Sequence, residues 1–258
     1  MSTAETTSDP ASIRLLGGPT VLIEYGGLRL LTDPTFSPAG EYPMGPLTLT
    51  KTADAPVAPS ELGQIDAVLL SHDEHPDNLD NAGRAFLPQV PQVLTTTSGA
   101  QRLGQNTRGL APWESVELPR PNGDVATVTA TPALHGPDGQ DVETVTGEVI
   151  GFVLTAEGLP TVYISGDNAS LEVVREVARR FPDIDTAVLF AGAVRMSEIF
   201  DDELLTLDAT RAAEAATILD ARRVVPAHVD SWGHFTEDRK ELVAVFESAG
   251  LADRLHLG

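Results

Sequence analysis

Short apolar runs separated by glycine pairs open the patterned part of the chain. Residues 13–16, 20–24 and 28–32 are rich in Leu, Ile, Val and Thr, and the pairs Gly17-Gly18 and Gly26-Gly27 lie between them. Tight hairpin turns need residues that accept positive φ, which glycine does at little steric cost. The pattern therefore predicts three short strands joined by two tight turns.

Apolar runs continue along the chain and later alternate with helical patterns. Further strands are predicted at 65–70, 91–95, 115–118, 125–131, 149–155, 161–165, 186–190 and 222–226. Helices are predicted at 81–86, 98–103, 169–181, 208–219 and 236–249. Thr97 or Ser98 is the expected N-cap of the second helix, and Thr236 that of the last. This order indicates layered sheets with helices outside them, an α+β arrangement.

Two longer segments show neither a strand nor a helix period. Residues 36–64 contain five prolines, and residues 136–147 read GPDGQDVETVTG. Structureless loops of this length are uncommon in compact domains and often carry function. Both segments are therefore expected to form walls of a binding pocket.

No change of composition marks a linker, so one domain is predicted over residues 12–258, preceded by a disordered tail at 1–11. The tail lacks the basic start and apolar centre of a signal peptide. No stretch approaches the ~18 apolar residues of a membrane span. A cytoplasmic location is therefore expected.

The charge balance and the absence of cysteine restrict partners and chemistry. Lys and Arg number 17 and Asp and Glu number 38, which gives a formal net charge of −21. Such a surface repels phosphate backbones and anionic lipid heads, so a small-molecule substrate is expected rather than nucleic acid or a membrane. The oligomeric state is left open. Without cysteine, a metal would have to be bound by His and carboxylate side chains.

Possible metal ligands directly follow apolar, strand-like runs. His72, His135, His228 and Asp167 all occupy such positions. Side chains at strand ends meet at one edge of a sheet, where α/β folds place their binding sites. Residues 72–78, HDEHPDN, add a second imidazole and more carboxylates, and this combination suits Zn, Mn or Fe. Alone, the segment is also typical of a solvated turn.

Five segments in order resemble the metallo-β-lactamase-fold hydrolases, and among them the ascorbate-6-phosphate lactonase-like branch. They are LLTDP (30–34), LLSHDEHPDNLD (69–80), ALHG (133–136), YISGDN (163–168) and LTLDATRAAEAATILDARRVVPAHVDSWGHF (205–235). They resemble the family's Asp-Pro strand end, its His-x-His-x-Asp-His loop, its middle His, its bridging Asp and its final helix, strand and His. The resemblance covers residues 13–235 and implies a four-layer αββα sandwich.

The resemblance also implies a ligand set for one or two metal ions. His72, His75 and His135 would bind the first metal, Asp167 would bridge both, and Asp77 and His228 would hold the second. Zn is expected, with Mn or Fe as alternatives. A metal-bound hydroxide would be the nucleophile, because a metal lowers the pKa of water from about 15.7 towards about 7. Asp77 is counted among the catalytic residues as well.

The metal-binding loop departs from the family pattern at two positions. Glu74 stands where the family has its second His. Either Glu74 is an insertion and His75 remains the ligand, or Glu74 itself is the ligand. The first interpretation is preferred, since it also aligns Asp77-Asn78 with the family's Asp-His. Asn78 then replaces a ligating His by a neutral amide, a weak ligand for Zn, which puts the second metal site in question.

Four other residues receive interpretations from their context. His234 is a candidate catalytic residue that binds substrate or acts as a general acid, with a surface His as the alternative. Asp33 either makes a hydrogen bond to a ligating His or ends a strand in a turn. Arg195 either meets an anionic substrate group or, as we prefer, forms a surface salt bridge. His256 is assigned no role.

The function predicted is a metal-dependent hydrolase acting on a small ester, lactone or phosphoester. The alternative is a catalytically degenerate member of the fold that acts as a binding or accessory module, an interpretation favoured by Glu74 and Asn78. An iron redox enzyme is disfavoured because the chain has no electron-carrier motif. RNA processing is disfavoured by the net charge, and β-lactam hydrolysis by the lack of an export signal.

Overall fold

Strands dominate the fold. The structure, a computed structural model, describes residues 11–257. Its strands are β1 (Ala11–Leu15), β2 (Val21–Tyr25), β3 (Leu28–Thr32), β4 (Gly40–Met44), β5 (Leu47–Lys51), β6 (Ala67–Leu69), β7 (Val93–Thr95), β8 (Thr107–Gly109), β9 (Ser115–Pro119), β10 (Val125–Pro132), β11 (Ile150–Thr155), β12 (Thr161–Ile164), β13 (Ile184–Phe190) and β14 (Arg223–Ala227). Its α-helices are α1 (Asn81–Phe86), α2 (Thr97–Leu103), α3 (Glu143–Thr146), α4 (Leu171–Arg180), α5 (Ala209–Ile218) and α6 (Arg239–Ser248).

The strands form two six-stranded sheets and one separate hairpin. The first sheet has the order β1-β2-β3-β6-β7-β8, and the second has the order β14-β13-β12-β11-β10-β9. Each sheet begins as an antiparallel meander and becomes parallel, from β3 to β8 in the first and from β12 to β14 in the second. Parallel neighbours need crossover connections. Helices supply them for the pairs β6–β7, β7–β8, β12–β13 and β13–β14, whereas the connection from β3 to β6 contains the hairpin β4–β5.

The two sheets face each other across the largest apolar cluster. The first sheet contributes Ile23, Leu30 and Leu69, while the second contributes Phe152 and Val188. Each of these side chains is fully buried. Burial on this inner face is the main stabilising term, at roughly 25 cal/mol per Å² of apolar surface. The strands whose sequences are continuous apolar runs are those covered on both faces.

Helices cover the outer faces. α4, α5 and α6 pack on the second sheet through Val174, Ala216 and Phe246. α1 packs on the first sheet through Phe86. The layers therefore run helix, sheet, sheet, helix, and the predicted α+β four-layer sandwich is confirmed. No helix in the described part of the chain is long and apolar enough to cross a membrane.

The sequence missed one hairpin in the proline-rich segment 36–64. β4 and β5 pair there in register, with Gly45 at φ +57° in the turn and Pro43 opposite Thr48. Pro can occupy a two-stranded edge, where one missing N–H is tolerated. Alternating exposed residues hide the pattern, so the expectation of a structureless loop was wrong for 40–51.

Smaller differences concern the ends of elements. α2 begins after Thr96 and α6 after Asp238, so the predicted caps Thr97, Ser98 and Thr236 were wrong. The carboxylate of Asp238 accepts two backbone N–H groups, which makes it the stronger cap. β8 and α3 were not predicted. Ala11 pairs with Tyr25 in β1, while residues 1–10 of the predicted tail lie outside the described residues.

The topology brings strand ends from both sheets to one edge. β10, β12 and β14 run in the same direction, because β11 is antiparallel to both β10 and β12 and β13 is parallel to β12 and β14. His135, Asp167 and His228 follow these three strands, and His72 follows β6 of the opposite sheet. The edge therefore collects ligand-type side chains that are distant in sequence.

Candidate metal centre

Four side chains form the first ligand group. His72, His75, His135 and Asp167 each present one ligand atom, and these atoms all lie within 4.8 Å of one another. His72, His135 and Asp167 are buried, whereas His75 is partly exposed. Three imidazoles and one carboxylate match the donor types that Zn²⁺ and similar ions prefer.

A hydrogen-bonded chain orients His72. Asp33 Oδ1 accepts from Ser71 N at 2.9 Å and from Ser71 Oγ at 2.6 Å. Ser71 Oγ lies 2.9 Å from His72 Nδ1. Because Ser71 donates its own hydrogen to Asp33, its oxygen is free to accept the Nδ1–H of His72. The lone pair of His72 is then on Nε2, which faces the centre of the group, and Asp33 acts on this ligand through Ser71.

A backbone carbonyl orients His135. Its Nδ1 lies 2.7 Å from the carbonyl oxygen of Leu205, so Nδ1 carries the hydrogen and donates it. Its Nε2 faces Asp167 Oδ2 at 3.6 Å. Loop 133–136 is also fixed, because Leu134 N donates to Asn168 Oδ1 at 3.0 Å. His135 therefore directs its Nε2 atom at the group.

Two imidazoles of this group, those of His72 and His75, have a lowered pKa. Burial lowers the pKa of His75 to about 4, with help from the nearby His135. Burial and the same neighbours hold the pKa of His72 well below its usual value. His72 Nε2 and His75 Nδ1 lie 2.8 Å apart. Neutral nitrogens that converge in this way are suited to a shared cation, because metal ligands must be deprotonated.

Glu74 points away from the group. Its carboxylate lies 3.0 Å from Arg102 Nη2, and that arginine also forms a forked ion pair with the buried Asp73. A side chain at Gly147 would collide with Glu74. Of the two interpretations of the loop, the structure therefore brings His75 into the ligand group and leaves Glu74 outside it.

A second ligand group shares Asp167 with the first. Asp77, Asp167 and His228 present ligand atoms within 4.8 Å of one another, and all three are buried. His228 Nε2 lies 3.2 Å from Asp77 Oδ2 and 3.8 Å from Asp167 Oδ1. Burial acts to lower the pKa of His228, but the carboxylates of Asp167 and Asp77 outweigh it and raise the pKa.

Local backbone features place Asp167 and His228. Gly166 precedes Asp167 with φ +57°, and a Cβ there would lie 2.5 Å from the carbonyl oxygen of Ile150, so only glycine fits. His228 itself has φ +58°, an unfavourable conformation for a residue with a side chain. Its N–H donates to the Gly18 carbonyl at 2.7 Å, and its ring stacks on Phe190. The surrounding fold therefore holds His228 in a strained orientation.

The donor atoms fit a metal on chemical grounds. Asp167 Oδ2 is buried and has no hydrogen-bond partner among the described residues, although it faces His135. A buried carboxylate oxygen without a partner is costly unless a cation neutralises it. This oxygen belongs to the residue that both groups share. The sites of the two groups therefore suit one or two metal ions, with Asp167 between them.

Asn78 makes a hydrogen bond where the family pattern has a ligand. Its amide nitrogen donates to Asp167 Oδ1 at 3.2 Å and lies 3.4 Å from Ser71 Oγ. The side chain is fully buried. An amide nitrogen is a donor and has no lone pair for a metal. Asn78 therefore supports the orientation of Asp167.

His234 lies against Asp77 at the pocket edge. Its Nε2 is 2.9 Å from Asp77 Oδ2, and its Nδ1 is buried without a hydrogen-bond partner in the described chain. Burial raises the pKa of Asp77, but His234 and His228 outweigh this effect and hold the pKa well below its usual value. Asp77 is therefore a carboxylate with two imidazole neighbours.

Sequence reasoning missed Ser71 and the Leu205 carbonyl, which set the two tautomers described above. Ser71 directly precedes His72, and its polarity after an apolar run was the one available signal. Arg195 forms an exposed ion pair with Asp208 at 3.9 Å and donates to the Asp202 carbonyl, in line with the preferred interpretation. His256 is exposed and belongs to neither ligand group.

A pocket of about 300 Å³, including its open mouth, lies over the two groups. His75, Asp77, His135 and His234 reach its floor. Its walls are apolar except for Thr146, and they consist of Met44, Leu49, Val194, Met196, Ile199 and Leu205. The 36–64 segment contributes Met44 and Leu49 through the unpredicted hairpin. The segment 136–147 contributes Thr146 from α3.

The comparison with protein families agrees with this geometry. Residues 28–229 match the model of the beta-lactamase superfamily domain. The chain belongs to the beta-lactamase superfamily. The match includes every residue of the two ligand groups, from His72 to His228. The lactonase-like branch stays a prediction.

Individual relatives extend the comparison. A UPF0173 metal-dependent hydrolase of Pyrobaculum aerophilum is 28% identical over 93% of each chain. The mitochondrial N-acyl-phosphatidylethanolamine-hydrolyzing phospholipase D of Saccharomyces cerevisiae is 26% identical over 90% of this chain, which spans about half (51%) of that relative's length. A solved structure of a possible metal-dependent hydrolase from Veillonella parvula superposes with a TM-score of 0.82 at 18% identity, covering 97% of each chain. The predicted enzyme class, a metal-dependent hydrolase, is thereby confirmed, while the identity of the metal stays a prediction.

Proposed function

We propose that this protein hydrolyses small ester or lactone substrates with the help of metal ions bound by its two ligand groups. The observation that carries the proposal is the sharing of Asp167 between two compact His and carboxylate groups on the floor of one pocket. When bound, a metal lowers the pKa of water and supplies hydroxide at neutral pH. His72, His75 and His135 are the proposed ligands of the first ion, and Asp77 and His228 those of the second.

The chain's own residues prepare the ligands in advance. Hydrogen bonds to Ser71 and to the Leu205 carbonyl orient the rings of His72 and His135, so that the Nε2 atom of each faces the group. Asn78 holds Asp167 from one side. Preorganised ligands of this kind lose little conformational freedom on binding, which favours both affinity and a fixed geometry.

The pocket walls favour uncharged substrates over phosphoesters. Among residues 11–257, no Lys or Arg lines the pocket, and the wall residues other than Thr146 are aliphatic or thioether side chains. Arg195 lines a neighbouring groove, but Asp208 and the Asp202 carbonyl already engage it. An anionic phosphoester would therefore find a cation only at the metal centre. The activity named for the yeast relative supports the phosphoester alternative, so both classes belong in the test.

The test compares matched chromogenic substrates with one leaving group. The metal-loaded protein is assayed with 4-nitrophenyl butyrate, with the phosphodiester bis(4-nitrophenyl) phosphate and with an alkyl-substituted lactone. We expect the ester or lactone to have a kcat/KM at least ~10-fold higher than the phosphodiester, which corresponds to about 1.4 kcal/mol. Chelation should abolish the turnover, and added metal should restore it. The reverse preference would contradict the proposed substrate class.

The degenerate binding module remains the second candidate function. The observation in its favour is Asn78, which presents an amide nitrogen where the family pattern has a ligand. This candidate predicts less than one tightly bound ion per chain and no turnover of any substrate. Full metal loading together with turnover would exclude it.

A further inference from the structure

We propose that His234 supplies the ligand to the second metal ion that Asn78 does not supply. The second site would then consist of Asp77, Asp167, His228 and His234, two carboxylates and two imidazoles. This inference rests on the proposed metal-dependent function. It reassigns a residue that the sequence offered as a general acid or substrate contact.

Two imidazole nitrogens converge on one carboxylate oxygen. The Nε2 atoms of His234 and His228 lie 2.9 and 3.2 Å from Asp77 Oδ2. His228 and Asp77 already belong to the second ligand group. His234 lies outside the 4.8 Å limit of that group and touches it only at Asp77 Oδ2, so its ring would have to shift inward to share an ion with His228. Imidazole Nε2 and carboxylate oxygen atoms are common ligands of divalent ions, and four such donors complete a tetrahedral set.

The orientation of the His234 ring argues against a role as proton donor. Its Nε2 is directed at Asp77, and its Nδ1 is buried without a partner in the described residues. A general acid needs a nitrogen that reaches the leaving group of a substrate in the pocket. The Nε2 atom of His234 is engaged by Asp77 and its Nδ1 atom is buried, so neither nitrogen reaches such a leaving group.

The loop that carries His234 is held firmly enough for a ligand. The Trp232 ring and the Phe235 ring pack edge-on against His234, with centroids 6.1 and 4.7 Å away. Trp232 is buried and pairs with the backbone of Lys51 in the hairpin β4–β5. The Lys51 ammonium group is buried too and pairs with Asp80 at 3.1 Å. This packing holds the loop that carries His234 beside Asp77.

Asn78 and His234 contact different members of the second group. Asn78 donates to Asp167, whereas His234 contacts Asp77. The chain therefore has an imidazole beside the second group, although it has Asn78 at the position where the family has a ligating His. We infer that the loss of a ligand at position 78 and the presence of His234 compensate each other.

The test is the metal stoichiometry, measured without any substrate. Wild-type protein and His234→Ala are chelated, loaded with Co²⁺ or Zn²⁺, freed of excess ion by gel filtration and analysed for metal. We expect about two ions per chain for the wild type and about one for the variant, as two-ion sites predict. His256→Ala, which removes an exposed imidazole, should match the wild type. Two ions retained by His234→Ala, or one ion in the wild type, would overturn the inference.

Two further variants keep the test decisive if His234→Ala folds poorly by circular dichroism. His234→Gln, which keeps a side chain of similar length but lacks an imidazole, should bind about one ion, and two ions in this variant would overturn the inference. In a His234→Gln background, Asn78→His should restore the second ion by supplying the family's imidazole. Since stoichiometry does not depend on turnover, a protein that binds two ions without hydrolysing any substrate would refute the proposed function and leave this inference standing.

Discussion

The two ligand groups share one carboxylate but differ in how they are built. The first group has three imidazoles, and hydrogen bonds to Ser71 and Leu205 fix two of them. The second group has two carboxylates and His228, whose backbone is strained. The departure from the family pattern at Asn78 affects the second group, while Glu74 is excluded from the first. The first group therefore keeps three imidazoles despite the extra residue Glu74, whereas the second, in our proposal, relies on His234 instead of the residue at position 78.

The comparison teaches that ligand identity and ligand support vary separately. In the first group the support comes from Ser71 beside His72, from Asp33 behind Ser71, and from the backbone carbonyl of Leu205 on His135. In the second group the support comes from side chains far away in sequence, such as His234 on Asp77. A lost ligand in this group has to be replaced from elsewhere in the chain. In our proposal Asn78 marks the lost ligand and His234 replaces it.

The largest effect is expected from removing the carboxylate that both groups share. Asp167→Asn keeps the size of the side chain but loses the charge between the two groups. Metal affinity at both sites and kcat/KM should fall by more than ~100-fold, beyond the range usual for supporting residues. Metal analysis and the ester assay measure the two quantities. A variant that keeps one group fully loaded would show that the groups are independent.

A smaller effect is expected from the support of the first group alone. Asp33→Asn removes the negative charge of the acceptor that orients Ser71 and, through it, His72, and it introduces an NH₂ group that can compete for Ser71 Oγ. Metal affinity of the first site should fall about 10–100-fold, while that of the second site should change less. Titration with a fluorescent chelator as competitor measures the affinities. Asp183→Asn, at an exposed carboxylate, is the matched control; an equal loss at both sites would contradict the separation of the groups.

The smallest effect is expected on the acid stability of the metal-free protein. Burial lowers the pKa of His75 from the ordinary 6.5 to about 4 in the folded chain. The unfolded chain therefore binds more protons between these values, so the contribution of His75 is complete above pH 6.5 and lost as the pH falls towards 4. His228, whose pKa is raised, acts in the opposite direction and loses its contribution as the pH rises.

Comparison of the wild type with His75→Gln isolates the contribution of His75 to the pH dependence of the free energy of unfolding. The free energy of unfolding, from urea denaturation between pH 4 and 7, should fall less steeply with acid in this variant than in the metal-free wild type. Identical slopes would show that His75 is not kept neutral by its surroundings.

The sequence predicted the strand ends well, and with them part of the site. Ile65 to Leu70 and the runs before His135, Asp167 and His228 are buried on both faces, so their apolar patterns are continuous and short. A ligand directly after such a run must lie at the sheet edge. This local relation is why residues spread from 72 to 228 could be proposed as one group.

Features that depend on contacts between distant segments were not predictable. The hairpin β4–β5 is half exposed, contains Pro43 and is held by the buried Lys51, so its sequence carries no clear period. The ion pair of Glu74 with Arg102 of α2, which leaves His75 in the ligand group, joins segments that are distant in sequence. Likewise, the contact of His234 with Asp77 joins positions 157 residues apart.

The central claim is that hydrolysis depends on ions held by the two groups that share Asp167. The most direct measurement is the rate of 4-nitrophenyl butyrate hydrolysis by one preparation, as purified, after removal of metal by chelation and dialysis, and after stoichiometric metal is returned. The account predicts that turnover disappears with the metal and returns with it, and that Asp167→Asn shows none at any stage. Turnover that persists in the metal-free protein, or that Asp167→Asn retains, would contradict the account.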